Sequence, residues 1–374
     1  MRIAVNTRLL LSGKLEGIGW FTFETLQRIT RDNPEHEFIF IFDRPYNPEF
    51  IFAGNVTPVV VGPPARHPFL FYLWFDFRIP GILKKYKADI FVSPDGYLSM
   101  RTKVPQLAVI HDINFLHRPE DLPWLMGHYY NFFFPKFAQK AKRIATVSFY
   151  SKEDIVRSYK IDYDKIDVVY DGVNEIYQPI PESDKIRIRG KYTSGEEYFL
   201  FVGALHPRKN ISGLLKAFDA FKFETNHKIK LVIVGGEMHK TGDIFETYDN
   251  LRFKNDVVFT GRVSTEELRD IFGAAFGLTC VPFFEGFGIP VVEAMSAGVP
   301  VICSNTTSLP EVGGNAVLYA DPMKIGQITE AMIQLTSDNN LRQSLIEKGR
   351  EQRKRFSWDE TAGLLWRSIN RTLQ

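Results

Sequence analysis

The sequence predicts an α/β protein of two doubly wound domains, each a parallel sheet covered by helices. Three observations predict this class. Apolar strands alternate with amphipathic helices in both halves of the chain, polar or glycine-rich loops follow several strands, and one polar segment with prolines separates the halves. The 374 residues suffice for two domains of ordinary size, each with its own core.

The first half carries short apolar segments that are typical of strands. They are predicted at residues 2–6, 37–42, 57–61, 89–93, 106–110, 143–147 and 166–170. A helix with apolar Phe21, Leu26 and Ile29 follows the first strand, and another is predicted over residues 126–141. Ser151, with Asp154 three residues later, is expected to cap the helix after the strand at 143–147.

Residues 179–197 form the best candidate for a linker, because they are polar, contain two prolines and carry little apolar periodicity. We therefore predict one domain at residues 1–177 and a second at residues 178–356. Residues 357–374 are predicted to form a last helix that Ser357 caps.

The second half alternates regularly between the two kinds of element. Strands are predicted at residues 198–202, 229–234, 257–260 and 276–281, and helices at 211–223, 244–251, 264–274 and from 325 onward. Ser264 and Glu267 form a capping box. Such alternation implies a parallel sheet, whose ligands bind beyond the carboxyl ends of the strands, and two such domains imply a cleft between them.

Composition excludes several classes of protein. Net charge is +2, too near zero to indicate nucleic-acid binding. No run of 18 apolar residues is present, and residues 1–7 resemble a strand more than a signal peptide. Cys280 and Cys303 sit in apolar strands as small core residues, which favours a reducing cytoplasm and offers no metal cluster.

The most informative stretch spans residues 283–295, between the strand at 276–281 and a helix that ends near Gly298. Glu285 and Glu293 have seven residues between them, so a rise of about 1.5 Å per residue brings both within reach of one ligand above the helix N-terminus. Glycines in the turn let backbone N–H groups approach a phosphate, and carboxylates accept hydrogen bonds from sugar diols. The pattern predicts a nucleotide-sugar site; the alternative is a buried strand-turn-helix with two surface glutamates.

Two adjacent cations follow the strand at 198–202. Arg208 and Lys209 stand a few residues beyond Gly203, where they could neutralise a diphosphate as it leaves a sugar. The sequence offers no Asp-x-Asp pair suited to a metal beside a phosphate, so these cations are expected to act without one. The alternative is a solvated Arg-Lys pair in a loop.

The first half contributes two candidate positions at strand ends. Gly17 and Gly19 precede a helix at the first strand-helix junction, where they either approach a phosphate or simply form the turn. His111 and Asp112 end the strand at 106–110. A histidine there could hydrogen-bond a sugar hydroxyl near neutral pH, or could cap the strand end.

Residues 283–312 resemble the Glu-x7-Glu region of retaining glycosyltransferases of family 4, and residues 203–209 resemble that family's Gly-x-x-x-x-Arg-Lys segment. The resemblance implies the GT-B fold, in which two Rossmann-like domains face a cleft and the last helix crosses back onto the first domain. One departure concerns Ala204, where many members carry an arginine. The second cation is therefore expected from Arg208 or from the first domain.

The resemblance also implies roles for individual residues. The expected catalytic residues are Glu285, His111, Lys209 and Arg208. The expected donor-binding residues are Gly17, Gly19, Gly203, Arg208, Lys209, Glu285, Gly286, Phe287, Gly288, Ile289 and Glu293. His111 and Asp112 are the expected acceptor contacts, with no metal ligand and no cofactor. A front-face reaction is implied, in which the acceptor hydroxyl gives its proton to the leaving phosphate, Glu285 binds the transferred sugar and Glu293 binds the ribose.

The resulting hypothesis is a cytoplasmic, retaining, metal-independent hexosyltransferase for cell-surface polysaccharide, with GDP-mannose favoured and a glycan or lipid-linked sugar as acceptor. The alternatives are a UDP-sugar transferase, a nucleotide-sugar epimerase, a dinucleotide oxidoreductase and a non-catalytic sugar-nucleotide binder. The oxidoreductase lacks a third glycine after Gly19. Aromatic and basic residues mix at 69–87 and 129–143, which indicates either peripheral contact with the inner membrane face or core packing beside a solvated lysine face.

Overall fold

The computed structural model describes residues 1–238 and 241–374 and confirms the α/β class. The chain forms two compact units, one of Met1–Gly172 with Ser357–Gln374 and one of Val173–Phe356. The second unit thus begins slightly before the predicted boundary at residues 177 and 178. The Tyr177 ring packs edge-on against Phe272 of the second unit, with 5.2 Å between ring centroids, which ties this stretch to that unit.

The first unit is built on a seven-stranded parallel sheet of order β3-β2-β1-β4-β5-β6-β7. The strands are β1 Arg2–Asn6, β2 Glu37–Phe42, β3 Val56–Val60, β4 Ile90–Ser93, β5 Gln106–Val109, β6 Arg143–Thr146 and β7 Ile166–Val168. The helices are α1 Gly17–Asp32, α2 Pro68–Leu73, α3 Ile79–Lys85, α4 Asn114–His117, α5 Trp124–Lys140 and α6 Phe149–Tyr159. A π-helical turn, Trp74–Arg78, joins α2 to α3. The central strands are apolar except at their ends, because helices cover both faces of a parallel sheet.

The second unit repeats this plan with a six-stranded parallel sheet of order β10-β9-β8-β11-β12-β13. The strands are β8 Tyr198–Val202, β9 Lys230–Val234, β10 Val257–Gly261, β11 Gly277–Cys280, β12 Val301–Ser304 and β13 Val317–Ala320. The helices are α7 Glu182–Thr193, α8 Ile211–Thr225, α9 Gly242–Asp249, α10 Thr265–Ala274, α11 Ile289–Ser296, α12 Leu309–Gly313, α13 Ile325–Ser337 and α14 Asn339–Gln352. The strand order reverses between β8 and β11, and such a switch point is where an open α/β sheet binds ligands.

The last helix, α15 Trp358–Leu373, packs on the first unit, as the family resemblance implies. The Thr361 hydroxyl donates to the Tyr170 carbonyl at 2.7 Å, and Arg28 of α1 pairs with Asp359 at 2.6 Å. The fit is close at Gly172, where an added Cβ would lie 2.3 Å from the Trp358 nitrogen. Glycine at this position therefore lets the start of α15 dock against the end of the first unit's main segment.

The linker prediction for residues 179–197 is wrong, because most of this segment is α7. The helix is polar, but it buries Ile188 and Thr193. It also contacts α10 through exposed ion pairs, in which Arg187 lies 2.9 Å from Asp270 and Lys191 pairs with Glu267. Contacts with residues distant in the sequence thus stabilise a helix that apolar periodicity does not predict.

Serine caps were predicted at three helices and are found at two of the predicted positions. Ser264 and Ser357 accept hydrogen bonds from the backbone N–H groups of Glu267 and Glu360. For α6 the predicted cap at Ser151 is wrong, because Ser148 accepts the hydrogen bond from the Ser151 nitrogen at 3.0 Å. The helix begins one turn earlier than the pattern indicated.

No helix in the described ranges combines the length and apolar character needed to cross a membrane.

Candidate functional site

The candidate site is formed by the loops after β8 and β11. These strands are neighbours, with Leu278 of β11 in register with Leu200 of β8, so the loops that follow them meet at the carboxyl edge of the sheet. The Phe283 nitrogen donates to the Arg208 carbonyl at 2.9 Å and joins the two loops directly. The topology therefore brings together residue groups that are separated by more than seventy positions in the sequence.

Glu285, Lys209 and Arg208 form one cluster at this edge. Lys209 Nζ lies 2.7 Å from Glu285 Oε1, and Arg208 Nη1 lies 2.9 Å from Glu285 Oε2. All three side chains are largely buried, with Glu285 12% exposed. Burial alone would favour the neutral acid, but the charges of Lys209 and then Arg208 outweigh it and hold the pKa of Glu285 below its ordinary value. The carboxylate is therefore ionised at neutral pH.

The two cations are presented by a short, well-braced turn, the 3-10 segment Pro207–Lys209. The His206 side chain accepts from the Arg208 nitrogen and caps the turn. Asn210 ends it in the left-handed conformation, with φ of 57°. The buried Asn210 amide donates to the carbonyls of Val281 and Pro322 at 3.0 and 2.9 Å, which fixes the turn to the end of β11.

The glycine-rich turn before α11 is held by residues of the loop after β12. The Ser308 hydroxyl bonds to the carbonyls of Glu285 and Phe287, at 2.9 and 3.0 Å. The Glu285 nitrogen donates to the Thr307 hydroxyl at 3.3 Å. Ser308 and Thr307 thus shape the turn, and sequence reasoning missed both, because serine and threonine are common in loops and their positions here match no recognisable motif.

Four of the expected donor-binding residues complete this turn: Gly286, Phe287, Gly288 and Ile289. Gly288 has φ of +108°, and a Cβ there would lie 2.6 Å from Leu309 Cδ2, so glycine is required. The Phe287 side chain is buried against Phe356, with ring centroids 5.4 Å apart. The expected donor contact at Phe287 is therefore one made by its main chain. Ile289 is the first residue of α11.

Glu293 lies on α11 and hydrogen-bonds with the Tyr177 hydroxyl. Burial raises the pKa of Glu293 to about 7, and the hydrogen bond from Tyr177 lowers it only partly. Sequence reasoning assigned Glu293 but missed Tyr177, which lies more than a hundred residues earlier in an unremarkable polar stretch. The two glutamates of the motif therefore differ, since Glu285 is charged and Glu293 titrates near neutral pH.

This difference predicts a pH-dependent stability. The carboxyl of Glu293 has an ordinary pKa of 4.5 when unfolded and about 7 when folded, so between these values the folded state holds a proton that the unfolded state releases. The contribution of the protonated Glu293 carboxyl to the free energy of unfolding is therefore complete below pH 4.5. It is lost as pH rises through 7, a change of about 3 kcal/mol. We expect Glu293→Gln to unfold like wild type in urea at pH 4.5 and to be more stable by about this amount at pH 8.

The matched control for this prediction is Glu266→Gln, which alters an exposed glutamate of the same unit. It is expected to track wild type at both pH values. A Glu293→Gln variant whose difference from wild type is the same at pH 4.5 and pH 8 would contradict the assignment.

The expected first-half residues lie in the other unit. His111 Nε2 is 2.9 Å from the Pro94 carbonyl oxygen. In the neutral ring, Nε2 therefore carries the proton and donates a hydrogen bond to that oxygen, and Nδ1 is an acceptor. Burial lowers the pKa of His111, which favours this neutral form. Asp112 accepts from the nitrogen of Asn114, the first residue of α4, at 2.9 Å. These bonds show that both residues also have structural roles at the carboxyl edge of the sheet.

The two glycines of α1 differ in what their surroundings require. A Cβ on Gly19 would lie 3.1 Å from the Leu9 carbonyl, so close packing of the preceding loop accounts for glycine there. Gly17 is the first residue of α1 and has open space around its Cα.

Gly203 has φ of +151° and its carbonyl lies directly against Gly235. It lies at the end of β8, beside the Lys209 side chain. Within residues 1–238 and 241–374, no three His, Cys, Asp or Glu side chains come together as a metal-binding group.

The chain is similar to known families, proteins and solved structures. The family described as Glycosyl transferases group 1 matches residues 182–352, and Glycosyltransferase Family 4 matches residues 16–175. The chain is 33% identical over 278 residues to O-antigen chain mannosyltransferase B of Escherichia coli, covering 74% of this chain and 73% of that protein. It is 33% identical over 217 residues to O-antigen chain mannosyltransferase RfbU of Salmonella typhimurium, covering 58% and 57%.

Among solved structures, the chain is similar to a glycosyltransferase from Rickettsia africae ESF-5. The TM-score is 0.75 at 19% sequence identity, over 100% of this chain and 98% of the other. At that identity the likeness concerns the fold, and it agrees with the two parallel-sheet units described above.

Proposed function

This chain belongs to glycosyltransferase family 4, and we propose that it moves mannose from GDP-mannose to a glycan or lipid-linked acceptor in cell-surface polysaccharide assembly. The preference for mannose is supported by relatives at 33% identity that are named as O-antigen mannosyltransferases. The proposal places the enzyme in the cytoplasm, with peripheral contact at the inner face of the membrane.

The observation that carries the proposal is the cluster of Glu285, Lys209 and Arg208 at the switch point of the second unit. Two cations and a helix N-terminus suit a diphosphate, and an ionised carboxylate suits the hydroxyls of a hexose. When the glycosidic bond breaks, negative charge grows on the departing diphosphate. Positive groups held in place beforehand stabilise that charge without reorganising.

In the proposed reaction the donor diphosphate binds the same two cations, Lys209 and Arg208, that pair with Glu285. The Glu285 carboxylate then faces the transferred sugar. Glu293 accepts hydrogen bonds from the ribose diol. The acceptor hydroxyl attacks the anomeric carbon from the side of the leaving group and passes its proton to the departing phosphate, so configuration is retained. In this scheme the two cations stabilise the leaving group without a metal ion.

The remaining expected contacts keep their place in the proposal. Gly203 and the turn of residues 286–289 are proposed to lie against the donor phosphates. Gly17 and Gly19 are proposed as further donor contacts, and His111 and Asp112 as contacts of the sugar and the acceptor.

The proposal is tested by thermal melting against a panel of nucleotides and nucleotide sugars, followed by product analysis. We expect GDP and GDP-mannose to raise the melting temperature by about 5 °C at a hundredfold excess over Kd, and UDP to have little effect. Glu293→Ala and Lys209→Ala are expected to remove the shift. Lys216→Ala, which alters an exposed lysine of α8, is the matched control and should retain it.

Three of the rival functions would each give a different result in this experiment. A shift with UDP and its sugars alone would indicate a UDP-sugar transferase, and an altered sugar released without acceptor would indicate an epimerase. Donor binding without turnover on any glycan acceptor would indicate a sugar-nucleotide binder.

A further inference from the structure

The first unit exposes a connected group of aromatic side chains on α2, the π-helical turn and α5. Phe69, Phe77 and Phe132 are 67%, 46% and 58% exposed. The Tyr72 ring connects the two sides of the group, with centroids 5.7 Å from Phe77 and 6.2 Å from Phe133. Exposed aromatic groups of this size are uncommon on a protein surface that meets only water.

Cations lie over these rings and beside them. Lys136 Nζ is 3.3 Å from the centroid of Phe132, and the Arg101 guanidinium is 4.0 Å from that of Phe77. Phe132, Lys136 and Lys140 are spaced four residues apart and so share one face of α5. We call this surface, formed by Tyr72, Phe77, Arg101, Phe132 and Lys136 with their neighbours, the aromatic-basic surface.

The basic character continues past the end of α5. A depression of about 490 Å³ is lined there by Lys103, Lys140, Lys142 and Lys165. Lys165 donates to the carbonyls of Ala138 and Gln139, both at 2.9 Å, and thereby closes the C-terminus of the helix. The other three lysines form no ion pair within the parts of the chain that the structure describes.

Acidic residues are nearly absent from the two segments that carry the exposed aromatic side chains. Residues 124–143 contain four lysines and arginines and no aspartate or glutamate. Residues 66–87 contain one acid, Asp76, which is buried and accepts from the Met100 nitrogen at 2.6 Å. Arg143 is paired with Asp167 at 2.7 Å, so the unbalanced positive charge comes from the lysines, although the whole chain is close to neutral at +2.

We infer that the aromatic-basic surface binds an anionic lipid membrane. Aromatic side chains beside lysines match a membrane interface, where rings enter the headgroup region and the ammonium groups meet lipid phosphates. The exposed N-terminal end of α5, with Trp124 73% and Leu125 47% exposed, adds aliphatic and indole surface that a nucleic acid would not require. This inference names the surface for the peripheral contact proposed above and does not depend on which sugar is transferred.

The test is sedimentation of the full chain with vesicles of phosphatidylcholine, with and without 30% phosphatidylglycerol, at low and at physiological salt. Wild type is expected to bind the anionic vesicles, more weakly as salt rises, and to bind neutral vesicles poorly. Lys136→Glu/Lys140→Glu/Lys142→Glu is expected to weaken binding tenfold or more. Phe132→Ser is expected to weaken it about fivefold at every salt concentration, because the loss is of apolar contact.

Matched controls come from the second unit. Lys216→Glu/Lys228→Glu/Lys348→Glu changes three exposed lysines by the same total charge, and Phe223→Ser removes a ring that is 65% exposed. Both controls are expected to bind as wild type does. All variants should retain the donor-induced rise in melting temperature, so a failure of membrane binding is distinguishable from a failure of the proposed function.

Three results would overturn the inference. Wild type could fail to sediment with anionic vesicles at low salt, or the α5 charge variant could bind as tightly as its control. Retention by a single-stranded oligonucleotide without vesicle binding would instead identify the surface as a nucleic-acid site.

Discussion

Lys209→Ala is expected to lower kcat by about 10² to 10³, the loss seen when one group that stabilises a developing oxyanion is removed. The physical reason is position. Lys209 Nζ is 2.7 and 3.0 Å from the two oxygens of Glu285, on a turn that His206 and Asn210 brace, so the charge is in place before a donor arrives. The measurement is single-turnover transfer with the donor concentration raised until the rate no longer increases, because Lys209→Ala is also expected to weaken donor binding.

The substitution also tests what Lys209 does to Glu285. Without Lys209 the buried carboxylate keeps only Arg208 as its cation, so the pKa of Glu285 should rise. The acidic limb of the pH–rate profile should then move to higher pH. A lysine that served only to support the fold would leave this limb unchanged.

Two comparisons make the result specific. Lys209→Arg retains the charge and is expected to recover part of kcat, whereas Lys216→Ala, on the exposed side of α8, is expected to act as wild type. If folded Lys209→Ala has kcat within about threefold of wild type, the cation does not stabilise the leaving group and the proposed mechanism is wrong.

The coupling between Glu285 and the cations could not be predicted from the sequence. The motif gave both groups roles, but as separate contacts of a sugar and of a diphosphate. Their direct pairing follows from the adjacency of β8 and β11, which is decided by the strand order of the sheet. Strand order depends on contacts between residues far apart in the chain, and the local pattern of a single sequence contains little information about them.

The fold itself could be predicted well, because parallel α/β architecture has a strong local signature. Buried strands are continuous apolar runs, and the intervening helices carry a different period, so elements such as β8 and α10 are marked by their own residues. The exceptions are informative. Helix α7 was missed because its contacts are with residues distant in the sequence and it buries only Ile188 and Thr193. Ser151 was mistaken for the cap of α6 because Ser148 offers a hydroxyl one turn earlier.

Supporting residues of the site were missed for a related reason. Ser308 bonds two carbonyls of the glycine-rich turn, and Tyr177 bonds Glu293, yet neither residue type is unusual in a loop. A glycine motif indicates where a ligand approaches. It does not indicate which distant hydroxyl holds the turn in shape.

Gly235→Ala is expected to have the largest effect on stability, a loss of about 4 kcal/mol or more in the free energy of unfolding of the second unit. Gly235 has φ of +154°, and a Cβ there would lie 1.9 Å from the Gly203 carbonyl oxygen. The obstacle is backbone, which cannot rotate away as a side chain can. The Gly203 nitrogen in turn donates to the Val234 carbonyl at 3.0 Å, so the ends of β8 and β9 would have to separate.

Urea unfolding followed by circular dichroism measures the loss, and Gly242→Ala is the matched control. Gly242 is the first residue of α9 and has no atom within 4 Å of the added Cβ, so alanine there should be neutral or stabilise by up to about 1 kcal/mol. A Gly235→Ala variant as stable as this control would show that the two strand ends can part freely. Because Gly203 also lies beside Lys209, a separation of the ends of β8 and β9 should displace the Lys209 side chain. A Gly235→Ala variant that still folds should therefore bind nucleotide more weakly than wild type.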